Sequence, residues 1–212
     1  MSAILLCVYV LTGIFHEVTA ILFKEQYRKI AKISLMPILI IYYFFTVSDL
    51  LILVIIAIIF SWAGDILLIR KEEPKFFKLG LVAFLLSHIF YIIALIVISP
   101  AVNFPVLYIS IGAALILNVL LPVIIKPPKE MRIPVIIYGT IILTMSICAL
   151  QYLLSNITIS SIMLFAGSIV FVFSDSLMSY LAFREKPKYF NAITMLPYII
   201  AQGMIVFGFA TA

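Results

Sequence analysis

The chain alternates between long apolar stretches and short polar segments. An α-helix needs about 20 apolar residues to cross the hydrocarbon core of a membrane, and eight stretches reach or approach that length. They cover residues 3–22, 33–48, 50–69, 77–98, 105–125, 133–153, 158–181 and 190–211. The second stretch is the shortest and contains Pro37, so its limits are the least sharply defined. This pattern predicts an all-α polytopic membrane protein with eight transmembrane helices.

The composition agrees with a membrane protein. Of the 212 residues, 66% are hydrophobic and only 11% are charged. A soluble domain carries roughly 25% charged residues, so this chain cannot form a fully water-exposed surface. We therefore expect residues 1–212 to form a single transmembrane domain surrounded by membrane lipids. The pattern makes no prediction about its oligomeric state.

The cations lie in alternate connections between the predicted helices. All 14 Lys and Arg residues fall around residues 24–32, 70–78, 126–132 and 184–188, and the other connections and both termini contain none. By the positive-inside rule, these four connections face the cytoplasm and both termini lie on the non-cytoplasmic side. This spread also explains the net charge of +5, so we expect no nucleic-acid partner.

Two similar segments lie at corresponding places in the two halves of the chain. "GDILLIRKEEPKFF" and "SDSLMSYLAFREKPKYF" each place an aspartate, Asp65 or Asp175, in an apolar run before a basic turn. Four helices return the chain to its starting side, so two such halves would have the same orientation in the membrane. We predict parallel repeats at residues 1–98 and 105–212, with the two aspartates facing each other across the axis.

These aspartates are the strongest candidates for chemistry. Ionisable groups cost a few kcal/mol each at membrane depth and are typical of functional sites. No Lys or Arg lies deep in a predicted helix to neutralise Asp65 or Asp175. Because two neighbouring carboxyl groups resist ionising together, one of them keeps a proton near neutral pH. A protonated acid beside a carboxylate is the arrangement used in hydrolysis through an oxocarbenium-like cation.

Three other ionisable side chains fall inside the predicted helices. His16 and Glu17 are adjacent, so they point about 100° apart on a helix and cannot both line one site. We favour a structural role for this pair. His88 shares a helix face with Phe84 and Tyr91, which is typical of helix packing and equally of a pocket wall.

Four short motifs occur in order along the chain: "GDILL" at 64–68, "LGLVAFLLSHIFYI" at 79–92, "FVFSDSL" at 171–177 and "PYIIAQ" at 197–202. The ordered set resembles the lysoplasmalogenase (YhhN-like) family of multi-pass membrane proteins. The resemblance implies a hydrolase that cleaves the vinyl ether bond of lysoplasmalogens to a fatty aldehyde and a glycerophospho-base. It also implies that Asp65 and Asp175 are the catalytic residues.

The implied substrate is a lysophospholipid, and the implied chemistry requires no cofactor and no metal. A neutral carboxylic acid protonates the vinyl ether, and a nearby carboxylate stabilises the cation and orients water. Candidates for orienting water, binding the glycerol hydroxyls or otherwise supporting the site are His88, Tyr91, Ser176, Tyr198 and Gln202. Candidates for meeting the substrate phosphate at the cytoplasmic rim are Lys32, Lys78 and Arg184.

Two other classes of protein fit parts of the same pattern. A small-molecule or proton-coupled transporter also uses parallel repeats and membrane carboxylates. A zinc-dependent amidase resembling the alkaline ceramidases would need ligands such as His16, His88 and the two aspartates, but the chain has no HxxxH-type spacing.

Overall fold

The described residues form a bundle of eight membrane-length helices. The computed structural model describes residues 1–70, 72–184 and 187–212, and all regular structure in these ranges is helical. The helices are α1 (Ser2–Ile21), α2 (Glu25–Thr46), α3 (Ile52–Leu67), α4 (Pro74–Ile98), α5 (Phe104–Ile125), α6 (Arg132–Ser155), α7 (Ile159–Ala182) and α8 (Phe190–Ala210). Two short 3-10 turns, Leu68–Arg70 and Lys129–Met131, lie after α3 and before α6.

The predicted number of helices is confirmed, and all but one of the predicted stretches lie close to the observed helices. The exception is α2, which begins at Glu25 rather than at residue 33. Hydropathy detects only the apolar part of a helix, and the first turns of α2 carry cations, including Arg28 and Lys32. Pro37 lies inside α2 and does not end it. The orientation in the membrane stays a prediction.

The predicted orientation depends in part on Lys71 and Lys186, which lie outside the described residues.

Helix α8 is the centre of the bundle and α5 is its periphery. In its most apolar stretch, 61% of the α8 residues are buried inside the protein, against 6% for α5. Helix α8 packs most extensively on α7 and also contacts α1 and α2, while α3 packs on α4. A site in the interior must therefore be formed around α8. The pairs α3–α4 and α7–α8 correspond in the predicted repeat, which itself stays a prediction.

Glycine allows the closest approach in both of these helix pairs. A Cβ atom on Gly64 of α3 would lie 2.6 Å from the Phe84 ring of α4. A Cβ atom on Gly208 of α8 would lie 2.6 Å from Leu164 of α7. Small residues let membrane helices pack with their backbones close together. Gly64 directly precedes Asp65, so this packing also sets the position of that aspartate.

Candidate active site

A buried cavity of about 50 Å³ lies beside α8 and is bordered by α1, α2, α3, α4, α6 and α7. One water molecule needs about 10–15 Å³ of such space, so the cavity holds a few waters or a small reacting group. Its polar lining comes from six helices: His16, Arg28, Lys32, Asp65, Tyr138, Ser174, Asp175, Asn191, Thr194 and Tyr198. Both aspartates singled out in the sequence therefore line one space.

Asp65 is held in an ion pair at the end of α3. Its side chain is buried, and Oδ1 lies 3.1 Å from Nζ of Lys32 on α2. The second oxygen, Oδ2, accepts a hydrogen bond of 2.8 Å from the Tyr198 hydroxyl on α8. A buried ion pair is stable only when further hydrogen bonds satisfy its charged groups, and Tyr198 supplies one. This geometry suits an ionised Asp65.

Asp175 on α7 has a different environment. It is also buried, and its Oδ2 accepts a hydrogen bond from the Tyr138 hydroxyl on α6. Within the described residues, no Lys or Arg forms an ion pair with it. A buried carboxylate without a neighbouring cation is costly, so this environment suits the neutral acid.

The position of Lys32 corrects one expectation. The sequence placed this residue in a connection, because its helix was predicted to begin at residue 33, and left both aspartates without a cation. That expectation is wrong for Asp65, because α2 begins earlier and carries Lys32 to the cavity wall. The two other cations considered for the substrate phosphate, Lys78 and Arg184, are exposed and lie away from the cavity lining.

Two further residues from the first half of the chain line the same cavity. Arg28 is buried, and its guanidinium is paired with Glu25 at 2.5 Å, so its charge is already matched. His16 of α1 is fully buried and lines the cavity, whereas Glu17 lines a groove on the outer side of α1. Their spacing predicted that His16 and Glu17 cannot both line one site, and only His16 lines the cavity.

That outer groove is apolar and much larger than the cavity. It has a volume of about 600 Å³ and lies between α1 and α8, with one residue from α7. Glu17 is its only charged lining residue among the described part of the chain. Because Glu17 follows His16 directly, the groove and the cavity lie on either side of this pair.

Tyr91 and Gln202 lie outside the cavity lining, in a buried hydrogen-bond network. The Tyr91 hydroxyl donates to Oε1 of Gln202 at 3.1 Å, and Nε2 of Gln202 donates to the Ser61 hydroxyl at 2.8 Å. Ser61 is in turn 2.7 Å from the Ser87 hydroxyl. Hydrogen bonds of this kind join helices inside a membrane protein. The network connects α3, α4 and α8, and the structure does not bring Tyr91 or Gln202 into contact with the cavity.

His88 lies behind the cavity wall. Its Nδ1 is 2.5 Å from the Phe84 carbonyl oxygen. The centre of its ring lies 4.6 Å from that of Phe171 and 5.6 Å from that of Tyr138. It therefore buttresses the tyrosine that contacts Asp175. Ser176 lines a smaller space beside the same tyrosine rather than the main cavity.

Five polar cavity residues were not assigned to any site from the sequence: Arg28, Tyr138, Ser174, Asn191 and Thr194. His16 was named only as a ligand of the alternative zinc site. Arg28 was counted only as a loop cation, and Tyr138 was not considered. A hydroxyl group in the apolar helix α6 needs a hydrogen-bond partner inside the membrane. The Tyr138 hydroxyl was therefore the feature of the sequence that could have indicated a buried contact at this position. No sequence signal indicates that its partner is Asp175, because α6 and α7 meet there only through packing.

Across residues 1–70, 72–184 and 187–212, no three His, Cys, Asp or Glu side chains form a group that could hold a metal ion.

Comparison with known proteins places most of the chain in one family. The model of the YhhN family matches residues 27–209, which leaves α1 and the last residues outside the match. The searches of curated proteins and of solved structures found no match.

Proposed function

The chain belongs to the YhhN family, and from this premise we propose that it is a membrane hydrolase that cleaves the vinyl ether bond of lysoplasmalogens. The products are a fatty aldehyde and a glycerophospho-base. The observation that carries the proposal is the shared cavity, in which two buried carboxyl groups have different partners.

We assign the proton donor to Asp175 and the carboxylate to Asp65. A cation close to a carboxyl group favours its ionised form, and Lys32 lies 3.1 Å from Asp65. Asp175 has only the Tyr138 hydroxyl as a polar partner in the described part of the chain, so its proton is retained more readily. The pair thus supplies an acid and an anion in one enclosed space.

The reaction follows from these two states. Asp175 transfers its proton to the β-carbon of the vinyl ether, whose π electrons form the new C–H bond. The oxocarbenium ion that results, at the α-carbon and ether oxygen, is stabilised by the Asp65 carboxylate. Water then bonds to the α-carbon, and the proton that it loses goes on to the departing glycerol oxygen as the hemiacetal separates into aldehyde and alcohol. Asp175 regains its proton as the hemiacetal hydroxyl becomes the aldehyde carbonyl.

The surroundings of the cavity support a lipid as the substrate. The cavity, at about 50 Å³, accommodates the reacting atoms and water but not a whole lysolipid. The apolar groove of about 600 Å³ on the other side of His16 and Glu17 can hold a hydrocarbon chain.

The proposal is tested with purified protein in detergent. We expect the wild type to release aldehyde from lysoplasmenylethanolamine or lysoplasmenylcholine, and Asp65→Asn and Asp175→Asn each to abolish that release. The chain offers a matched control, because its third aspartate, Asp49, is exposed in the connection between α2 and α3. Asp49→Asn should retain wild-type activity.

Aldehyde release that continues in either cavity variant would remove that aspartate from the mechanism. Uptake of an intact lysolipid into sealed vesicles without cleavage would favour the transporter. Loss of activity on addition of a chelator would revive the zinc-dependent amidase.

A further inference from the structure

His16, which is buried, and Glu17, which is partly buried, form a contacting pair with no role in the mechanism above. They lie in α1, before residue 27 where the family match begins. The Nδ1 atom of His16 lies 3.1 Å from Oε1 of Glu17. His16 is fully buried and lines the cavity with Asp65 and Asp175, and the Glu17 side chain is 15% exposed at the apolar groove.

The contact with Glu17 bears on which nitrogen of His16 carries the proton. With Glu17 as the carboxylate, which can only accept a hydrogen bond, Nδ1 is the donor. In the neutral imidazole, Nε2 is then an acceptor with a free lone pair. Nε2 has no hydrogen-bond partner among the described residues and is shielded from solvent.

A buried acceptor without a partner destabilises the protein unless water or a ligand satisfies it. Because Nδ1 is engaged by Glu17, Nε2 is the ring nitrogen left for a group in the cavity. The cavity has room for at least one water molecule. A water there would lie among His16 and the two aspartates.

The position of Glu17 also has a free-energy cost. It is a carboxylate beside an apolar groove, at membrane depth, where an ionisable group costs a few kcal/mol. Its contact with His16 accounts for its presence, because a carboxylate that accepts from Nδ1 orients the ring and makes Nε2 a stronger base.

We propose that His16 is a further catalytic residue, the general base for the water step, and that Glu17 is its positioning residue. This inference rests on the proposed function. As water bonds to the oxocarbenium carbon, one of its protons moves to Nε2, and the C=O π electrons return to the ether oxygen. The imidazolium then gives that proton to the departing glycerol oxygen as the hemiacetal separates. His16 ends neutral, and the hemiacetal hydroxyl proton returns to Asp175.

The first test is independent of activity. The chain contains only two histidines, so ¹⁵N-histidine labelling gives two imidazole signals, assigned with a His88→Gln variant. In the wild type we expect His16 to carry a proton on Nδ1 and none on Nε2. Glu17→Gln should redistribute the proton between the nitrogens of His16 and leave His88 unchanged, because His88 bonds to the Phe84 carbonyl. A proton on Nε2 of wild-type His16 would overturn the proposal.

The second test uses the order of the chemical steps. His16→Gln should lower kcat for aldehyde release by about 100-fold, within the usual contribution of a general base. Glu17→Gln should lower it less, because the imidazole remains.

When water attack is slow, the oxocarbenium ion has time to rotate about its Cα–Cβ single bond, return the original hydrogen of the β-carbon to Asp175 and reform the vinyl ether. In D₂O, unreacted substrate recovered from His16→Gln should therefore carry deuterium on the vinyl carbon, and substrate recovered from the wild type should carry almost none. Asp49→Asn is the control and should not introduce deuterium, because Asp49 is exposed in the connection between α2 and α3.

The outcomes separate the two proposals. If the wild type releases no aldehyde, the proposed function fails. If the wild type is active and His16→Gln retains full kcat, or loses kcat without deuterium in the recovered substrate, the function stands and His16 is only structural. Helix content and melting temperature of each variant show whether it folds.

Discussion

Asp65 and Asp175 look equivalent in the sequence and differ in the structure. Each is an aspartate in an apolar run before a basic turn. In the folded protein, Asp65 has a cation and a tyrosine as partners, whereas Asp175 has a tyrosine and, among the described residues, no cation. The ion pair favours the ionised form of Asp65, whereas burial without a neighbouring cation favours the neutral form of Asp175. Similar local sequence therefore does not imply a similar chemical role.

The largest expected effects come from removing each carboxyl group. Asp175→Asn removes the proton donor, and we expect kcat to fall by about 10³-fold or more with little change in melting temperature, since the amide oxygen can still accept from Tyr138. Asp65→Asn should also inactivate the protein, but it leaves Lys32 without its counter-charge, so it should lower the melting temperature clearly. Kinetics and thermal unfolding in detergent measure both. Equal destabilisation by the two changes would contradict the difference between the aspartates.

A double-mutant cycle sharpens the comparison at the ion pair. Lys32→Met leaves Asp65 buried without its cation and should destabilise the protein by about 3 kcal/mol. Adding Asp65→Asn to this variant removes the uncompensated charge, so the double variant should be more stable than Lys32→Met alone. Reversible unfolding in mixed micelles gives the free energies. Simple additivity of the two changes would show that the contact contributes nothing to stability.

The smallest expected effects distinguish the two tyrosines. Tyr198→Phe removes a hydrogen bond to an ionised carboxylate and should cost about 1.5–3 kcal/mol, whereas Tyr138→Phe removes one to a neutral acid and should cost about 0.5–1.5 kcal/mol. Unfolding free energies of the two variants provide the measurement. A larger loss from Tyr138→Phe would indicate that the proton belongs to Asp65.

The helices were predictable because a membrane imposes a length on them. An apolar run that crosses the hydrocarbon must form a helix, since its backbone groups find no other partners there. The prediction failed only where this constraint ends. The first turns of α2, from Glu25 to Lys32, are helical but too polar to register as a transmembrane stretch. This shortened prediction also removed Lys32 from the expected site.

The candidate site was predictable only in part. Asp65 and Asp175 stand out because an acid in an apolar run is costly wherever it lies. His88 and Tyr91 share a predicted helix face, and Gln202 belongs to the motif at 197–202. Neither a helix face nor a motif shows which other helix it contacts. Conversely, Tyr138 and His16 reach the cavity from helices far away in the chain, which a pattern of spacing along one helix cannot reveal.

By itself, the sequence determined that this is an eight-helix membrane protein with two aspartates inside membrane-spanning helices, where an ionisable side chain costs free energy. The physical reason is local, because the transfer of each side chain or backbone group from water to hydrocarbon depends little on its neighbours. Only the tertiary structure decided that Lys32 neutralises one aspartate, that Tyr138 contacts the other, and that His16 lines the space beside both. Charge interactions act over a few ångströms between side chains on different helices, so they exist only once those helices have packed.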